Sequence, residues 1–196
     1  MVDRNQFERI RKRHGGYASW AVWAPPGDKP KSNVGDLSVL NPDGNPTLLQ
    51  RLRTDIIMVG LNIARPLAEP FCNFHDSKPR ANDFKLRHAL AGTEYWGAYM
   101  TDFIKNVPIV TSSDLRKHLK AFPDKIKSSV DEFLDELRDL KASRPMVIAL
   151  GNDAHRLIVR NLPADVYGRL VRVTHYSYRV GKEKYRDTVL AQLTER

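Results

Sequence analysis

TDIIMVG (54–60) and PMVIALG (145–151) are the stretches on which the fold turns. Each is a short apolar run ending in glycine, the pattern of a strand buried on both faces. WGAYMTDFI (96–104) and RLVRVT (169–174) read as two further strands. Helical patterns separate them. One spans Asn82 to Leu90, and another is capped by Ser113 and runs to about Phe122. A third, capped by Asp124, carries the apolar stripe Ile126, Val130, Phe133, Leu134, Leu137 and Leu140. Helices at 152–161 and 182–194 follow the last two strands. Strands alternating with helices give βαβ units: an α/β fold whose mainly parallel sheet has helices on both faces. Ligands of such sheets bind beyond the carboxyl ends of the strands. The residues to weigh therefore follow Val59, Met100, Leu150 and Thr174.

Upstream, residues 4–13 read as a basic helix held by Phe7 and Ile10, and YASWAVWA (17–24) could form a strand. A proline- and glycine-rich connection covers 25–46. A chain of 196 residues suits one domain, with residues 1–50 as an N-terminal extension packed on it. The single cysteine, Cys72, leaves no internal disulfide and no cysteine–histidine spacing for zinc, so no metal or cofactor is expected. No apolar run is long enough to span a membrane, and the charged start is unlike a secretory signal. A cytoplasmic protein, monomeric by default, is expected. Lys and Arg number 32 against 23 Asp and Glu, a net charge of +9, which suits a polyanionic partner or plain solubility.

The strand ends carry the chemistry. After the first comes GLNIARP (60–66), where Asn62 can position a water or a polar ligand edge, or only bond its own turn. Its loop continues through FCNFHD (71–76), in which Phe71 or Phe74 can stack on a flat ring or anchor the loop, and His75 and Asp76 are a candidate polar pair. After the second strand, Asp102 and Lys105 should face the cleft, Asp102 as a cap or as a reader of ligand N–H groups. GNDAH (151–155) is a strand-to-helix junction with Asn152 or Asp153 as its cap, and no nucleotide-binding glycine fingerprint is present. After the fourth strand comes THYSYR (174–179), with Lys182, Lys184 and Arg186 close behind. Here His175 can stabilise a developing anion or shuttle a proton, Ser177 can hold a phosphate, and Tyr176 or Tyr178 can wedge into a base stack. The plainer reading is a solvated basic loop with a satisfied histidine.

GLNIA (60–64) and THYSY (174–178), in this order at strand ends, resemble the first and last motifs of the uracil-DNA glycosylase superfamily. The mismatch-specific uracil/thymine branch is nearest: Phe74 lies 12 residues after Asn62, and NDFKL (82–86) is similar to its helix-opening segment, while GAYMTDFIKN (97–106) resembles the strand that carries a Thr-Asn- or Thr-Asp-type motif in related branches. The resemblance spans about Asp55 to Arg196. It implies a three-layer α/β/α sandwich with a four-stranded parallel sheet in the order 2-1-3-4. It also implies a DNA glycosylase that flips a nucleotide and hydrolyses the N-glycosidic bond of a damaged or deaminated base. In that reading Asn62 and His175 are catalytic, and Phe74 and Asp102 bind the base. Ser177, Arg179, Lys182 and Lys184 track the backbone of DNA. Ile63 and Tyr176 stand where the family has prolines, and no carboxylate follows Gly60 to act as general base. Asp102 stands near a base-reading asparagine, and as a carboxylate it would favour a base presenting N–H donors over uracil. The alternatives are a glycosylase-like protein that binds nucleic acid or a protein partner without turnover, and a hydrolase of free nucleosides. The Lys/Arg cluster argues against the last.

Overall fold

The computed structural model describes residues 1–195. Along the chain run α1 (Arg4–His14), β1 (Ser19–Trp20), α2 (Leu48–Arg51), β2 (Arg53–Asn62), α3 (Asp83–Leu90), β3 (Ala98–Ile104), α4 (Ser112–Ala121), α5 (Asp124–Leu140), β4 (Met146–Leu150), α6 (Asn152–Asn161), β5 (Arg169–Val173) and α7 (Lys182–Thr194). The sheet order is β1-β3-β2-β4-β5. β3, β2, β4 and β5 are mutually parallel, and β1 pairs antiparallel with β3 through Ser19 and Trp20. The sheet is therefore five-stranded and mixed, not four-stranded. The segment 17–24 yields two paired residues on the β3 edge, a long-range pairing that local pattern does not reveal.

Strand alternation divides the apolar residues between two cores. Ile57, Val59, Tyr99, Val147 and Ala149 pack with Phe7 and Ile10 of α1, Phe133 and Leu137 of α5, and Ile158 of α6. Ile56, Met58, Met100, Ile148, Val171 and Val173 pack with Leu86 and Leu90 of α3 and Tyr185, Val189 and Leu193 of α7. Each fully buried aliphatic or aromatic side chain contributes roughly 1.5–3 kcal/mol. A one-residue slip of a strand would exchange the two sets, so the register is strongly specified.

Residues 1–50 supply the edge strand and part of the core. α1 packs on α5, with Phe7 against Phe71 at 5.4 Å and Gln6 Nε2 donating to Asp139 O at 2.9 Å. Two helix starts differ from expectation. Thr111, not Ser113, caps α4, accepting from Asp114 N at 3.2 Å. Asp124 is the first residue of α5, with Pro123 at the cap position. No helix among the described residues is long and apolar enough to cross a membrane.

Candidate functional site

The carboxyl ends of β2, β3 and β4 and the segment after β5 open onto one cleft of about 360 Å³. Asn62, Asp102, His175 and Ser177, from three separate stretches of sequence, all line it. Gly60, Gly151, Tyr176, the start of α6 and the segment 109–112 complete its walls. The strand-end rule for open α/β sheets thus places the cleft where the sequence expected a ligand.

Asp102 is the most constrained of these groups. Gly60 is its partner across the β2–β3 ladder, and a methyl group at residue 60 would overlap Asp102 Oδ1. On the other side, Asp102 Oδ2 accepts from Asn73 Nδ2 at 2.8 Å. The side chain is 3% exposed. Burial penalises the charged form and pushes its carboxyl up to about 7, opposed by the Asn73 hydrogen bond and by Lys105. Near neutral pH the acid form is a major species, and a protonated carboxyl both donates and accepts. Burial thus adds a donor role to the accepting role expected of residue 102 from sequence.

Asn73 is held by a strained turn. Phe71 (φ 68°) and Phe74 (φ 63°) both occupy the left-handed region, which bulky residues seldom adopt. The turn is pinned by the N-terminal segment: Phe71 N donates to Gly15 O, Ser19 Oγ donates to Phe71 O, and Trp23 Nε1 donates to Phe74 O. Asn73 Nδ2 also donates to Tyr17 O at 2.7 Å. Residues 15–23 therefore brace the turn that positions Asp102. The sequence reading missed Asn73, although its place between two aromatics in the 71–76 loop was the available signal.

Asn62 ends β2 with its amide direction fixed. Nδ2 lies 2.8 Å from each of Ile63 O, Val107 O and Ile109 O, three acceptors that share its two N–H groups. The nitrogen must face these three carbonyls, so Oδ1 is the atom left to accept from a water or ligand. The side chain bonds its own turn through Ile63 O, one of the two roles weighed from sequence, and also ties the 107–109 segment to β2.

His175 lies against Gly151, whose φ of 94° and close approach to His175 Cβ exclude a side chain there. Ser177 N–H donates to His175 Nδ1 at 3.1 Å, and Ser177 Oγ lies 2.8 Å from the same nitrogen. Because a backbone N–H can only donate, Nδ1 is the acceptor and the neutral ring carries its proton on Nε2. Burial pushes the imidazole down to about 4. At neutral pH His175 is an uncharged donor, stacked on Tyr176 at 4.2 Å with 23° between the planes.

Other expected residues sit elsewhere. Phe74 is buried and does not line the cleft: its ring lies behind Gly60 and edge-on to Tyr176, at 6.4 Å. Tyr176 is the aromatic surface facing the cleft. Lys105 turns to the opposite face of the sheet, where it is fully buried. There it forms an ion pair with Glu136 of α5 and donates to Thr101 Oγ1 at 2.7 Å. Glu136 also accepts from Tyr99 and Thr101. His75 is buried and Asp76 pairs with Arg65, so the two form no pair. Neither Asn152 nor Asp153 caps α6: Gly151 is at the cap position, Asn152 Oδ1 accepts from Arg172, and Asp153 lies between Arg116 and Arg156. Of the cations after β5, Arg186 donates to the carbonyls of His88, Ala89 and Ala91 at the end of α3, and Lys182 pairs with Glu183. Arg179 and Lys184 make no ion pair among the described residues and are exposed.

No family model, curated protein or solved structure matches the chain.

Proposed function

We propose that this protein is a DNA glycosylase-like enzyme that takes a flipped nucleotide into the cleft and hydrolyses its N-glycosidic bond. The observation that supports this most is the convergence of Asn62, Asp102, His175 and Ser177 on a single base-sized cleft in a strongly basic protein. The helical layers over both faces of a sheet containing β3-β2-β4-β5 agree with a three-layer α/β/α sandwich of the glycosylase kind.

Asn62 Oδ1 accepts a hydrogen bond from a water and orients it towards C1′ of the sugar. The C1′–N bond breaks with its electron pair leaving on the base, and the water oxygen bonds to C1′. The neutral His175 donates its Nε2–H to the charge gathering on the base, as preorganised donors do for developing anions. Such a donor contributes on the order of 2.7–4 kcal/mol. The proton lost by the water neutralises the departing base. Tyr176 rather than Phe74 offers the flat surface beside the base. Asp102 reads the base edge. As the acid it can pair with an edge presenting both donor and acceptor, uracil included, and as the anion it selects N–H donors. Arg179 and Lys184 hold backbone phosphates, Ser177 turns its N–H and hydroxyl to His175 Nδ1 and so fixes that ring rather than a phosphate, and Tyr178, 62% exposed, fills the gap left in the stack.

Oligonucleotides carrying uracil, hypoxanthine or xanthine, single-stranded and duplex, test this directly. Base release read by alkaline strand cleavage is expected for at least one of them, with large losses in Asn62→Ala and His175→Ala. A folded wild-type protein inert on all of them at high excess would favour a binding protein without turnover.

A further inference from the structure

The cleft does not end at its own walls. Leu61, Ser112 and Asp153 also line a second hollow of about 200 Å³ between α4 and α6. Leu115 and Leu119 of α4 and Leu157 of α6 form its apolar floor, and Arg116, Arg156 and Arg160 stand along it. Arg156 and Arg160 are one helical turn apart on α6, about 6 Å along the axis. Among the described residues, the only acid lining this groove is Asp153, shared by Arg116 at 3.3 Å and Arg156 at 3.8 Å. Both arginines are about two-thirds exposed, so these long pairs are weak and open to replacement by another anion. Arg160 makes no ion pair among the described residues and is exposed.

We infer that the α4–α6 groove binds single-stranded nucleic acid flanking the nucleotide held in the cleft. Its arginines take phosphates, and its leucine floor covers the face of an unstacked base. Three features carry this. The groove adjoins the cleft, with Leu61, Ser112 and Asp153 lining both, so a strand leaving the cleft can pass onto it. Its three guanidiniums face one carboxylate, a net positive wall over an apolar floor, which is the pairing that single-strand binders use. Finally, of the four cations after β5, Arg186 is held by backbone carbonyls, which leaves Arg179, Lys184 and the surface-paired Lys182 as a short phosphate track that the groove arginines extend. The inference rests on the glycosylase reading for the strand in the cleft, but the groove can be tested separately.

A fluorescein-labelled single-stranded 12-mer titrated at several salt concentrations gives the slope of log affinity against log salt. Arg156→Gln with Arg160→Gln should weaken binding and flatten that slope by about 1.4, from two phosphate contacts at about 0.7 each. Arg156→Lys with Arg160→Lys should keep most of the slope. Arg11→Gln with Lys12→Gln on α1 removes the same charge and should leave the slope unchanged. Both arginines are on the surface, so matched melting curves are expected. An unchanged slope in the Gln pair, or equal flattening by the α1 pair, would overturn the inference. So would displacement of the 12-mer from the groove by a glutamate-rich peptide at lower concentration than by unlabelled oligonucleotide. If base release fails but the slope behaves as described, the groove stands and the glycosylase reading falls. If base release succeeds but the slope does not move, the reverse holds.

Discussion

Asp102→Asn should stabilise the protein, and by an amount that depends on pH. In the folded state burial holds this carboxyl at about 7 against an ordinary value of 3.8. The folded protein thus retains a proton that the unfolded chain releases between those two values. A group raised in this way contributes its full stability below about pH 4 and loses it as the pH climbs through 7. At about 1.4 kcal/mol per pH unit, the interval corresponds to about 4 kcal/mol that the wild type loses and the amide does not. An asparagine can still accept from Asn73, and it is nearly isosteric. His75 and His175, both pushed down to about 4 by burial, act in the opposite sense over much the same range. The wild-type curve alone is therefore flattened there, and the difference between variant and wild type is the informative quantity. Urea unfolding at intervals from pH 4 to 8 measures it. The variant is expected to match wild type near pH 4, then to gain steadily up to pH 7. A variant less stable than wild type at pH 8, or a difference that does not change with pH, would refute the burial argument.

Lys105→Met should cost about 3–5 kcal/mol, because it strands Glu136 as an unpaired buried charge, and Lys105→Met with Glu136→Leu should recover much of the loss; thermal melts of the single and double variants check this. His175 should show the Nε2–H tautomer in nitrogen NMR and no titration midpoint above about pH 5, whereas a midpoint near 6.5 would mean a solvated ring. If base release depends on the acid form of Asp102, the rate on a uracil substrate should fall as pH rises through about 7, and Asp102→Asn should remove that inflection.

Much of the frame was legible because local pattern determined it. The two glycine-ended apolar runs became β2 and β4, and the stripe from Ile126 to Leu140 lies along α5. What stayed hidden depended on partners distant in sequence. The segment 17–24 reads as a strand from sequence, but its shortening to Ser19–Trp20 and its antiparallel pairing depend on the open edge that β3 offers. Lys105 was assigned to the cleft because it follows a strand end, but alternation sends it to the α5 face. The readable clue was Glu136, a carboxylate set among Phe133, Leu137 and Leu140, which demands a buried partner. Asn62, Asp102, His175 and Ser177 were legible from their places at strand ends. Asn73 and the exchange of Tyr176 for Phe74 were not, since both follow from a turn with positive φ at Phe71 and Phe74. Nothing in the composition of that loop specifies its backbone.

The most direct test of the account is a structure of the protein bound to DNA carrying a single 2′-fluoroarabino nucleotide, which resists cleavage of its glycosidic bond. The account predicts that this nucleotide is rotated out of the stack into the cleft, with its base beside Tyr176 and its edge on Asp102. Its leaving nitrogen or carbonyl should lie within hydrogen-bond reach of His175 Nε2, and a water should sit on Asn62 Oδ1 facing C1′. DNA bound with every base stacked, or bound on another face while the cleft holds only solvent, would contradict it.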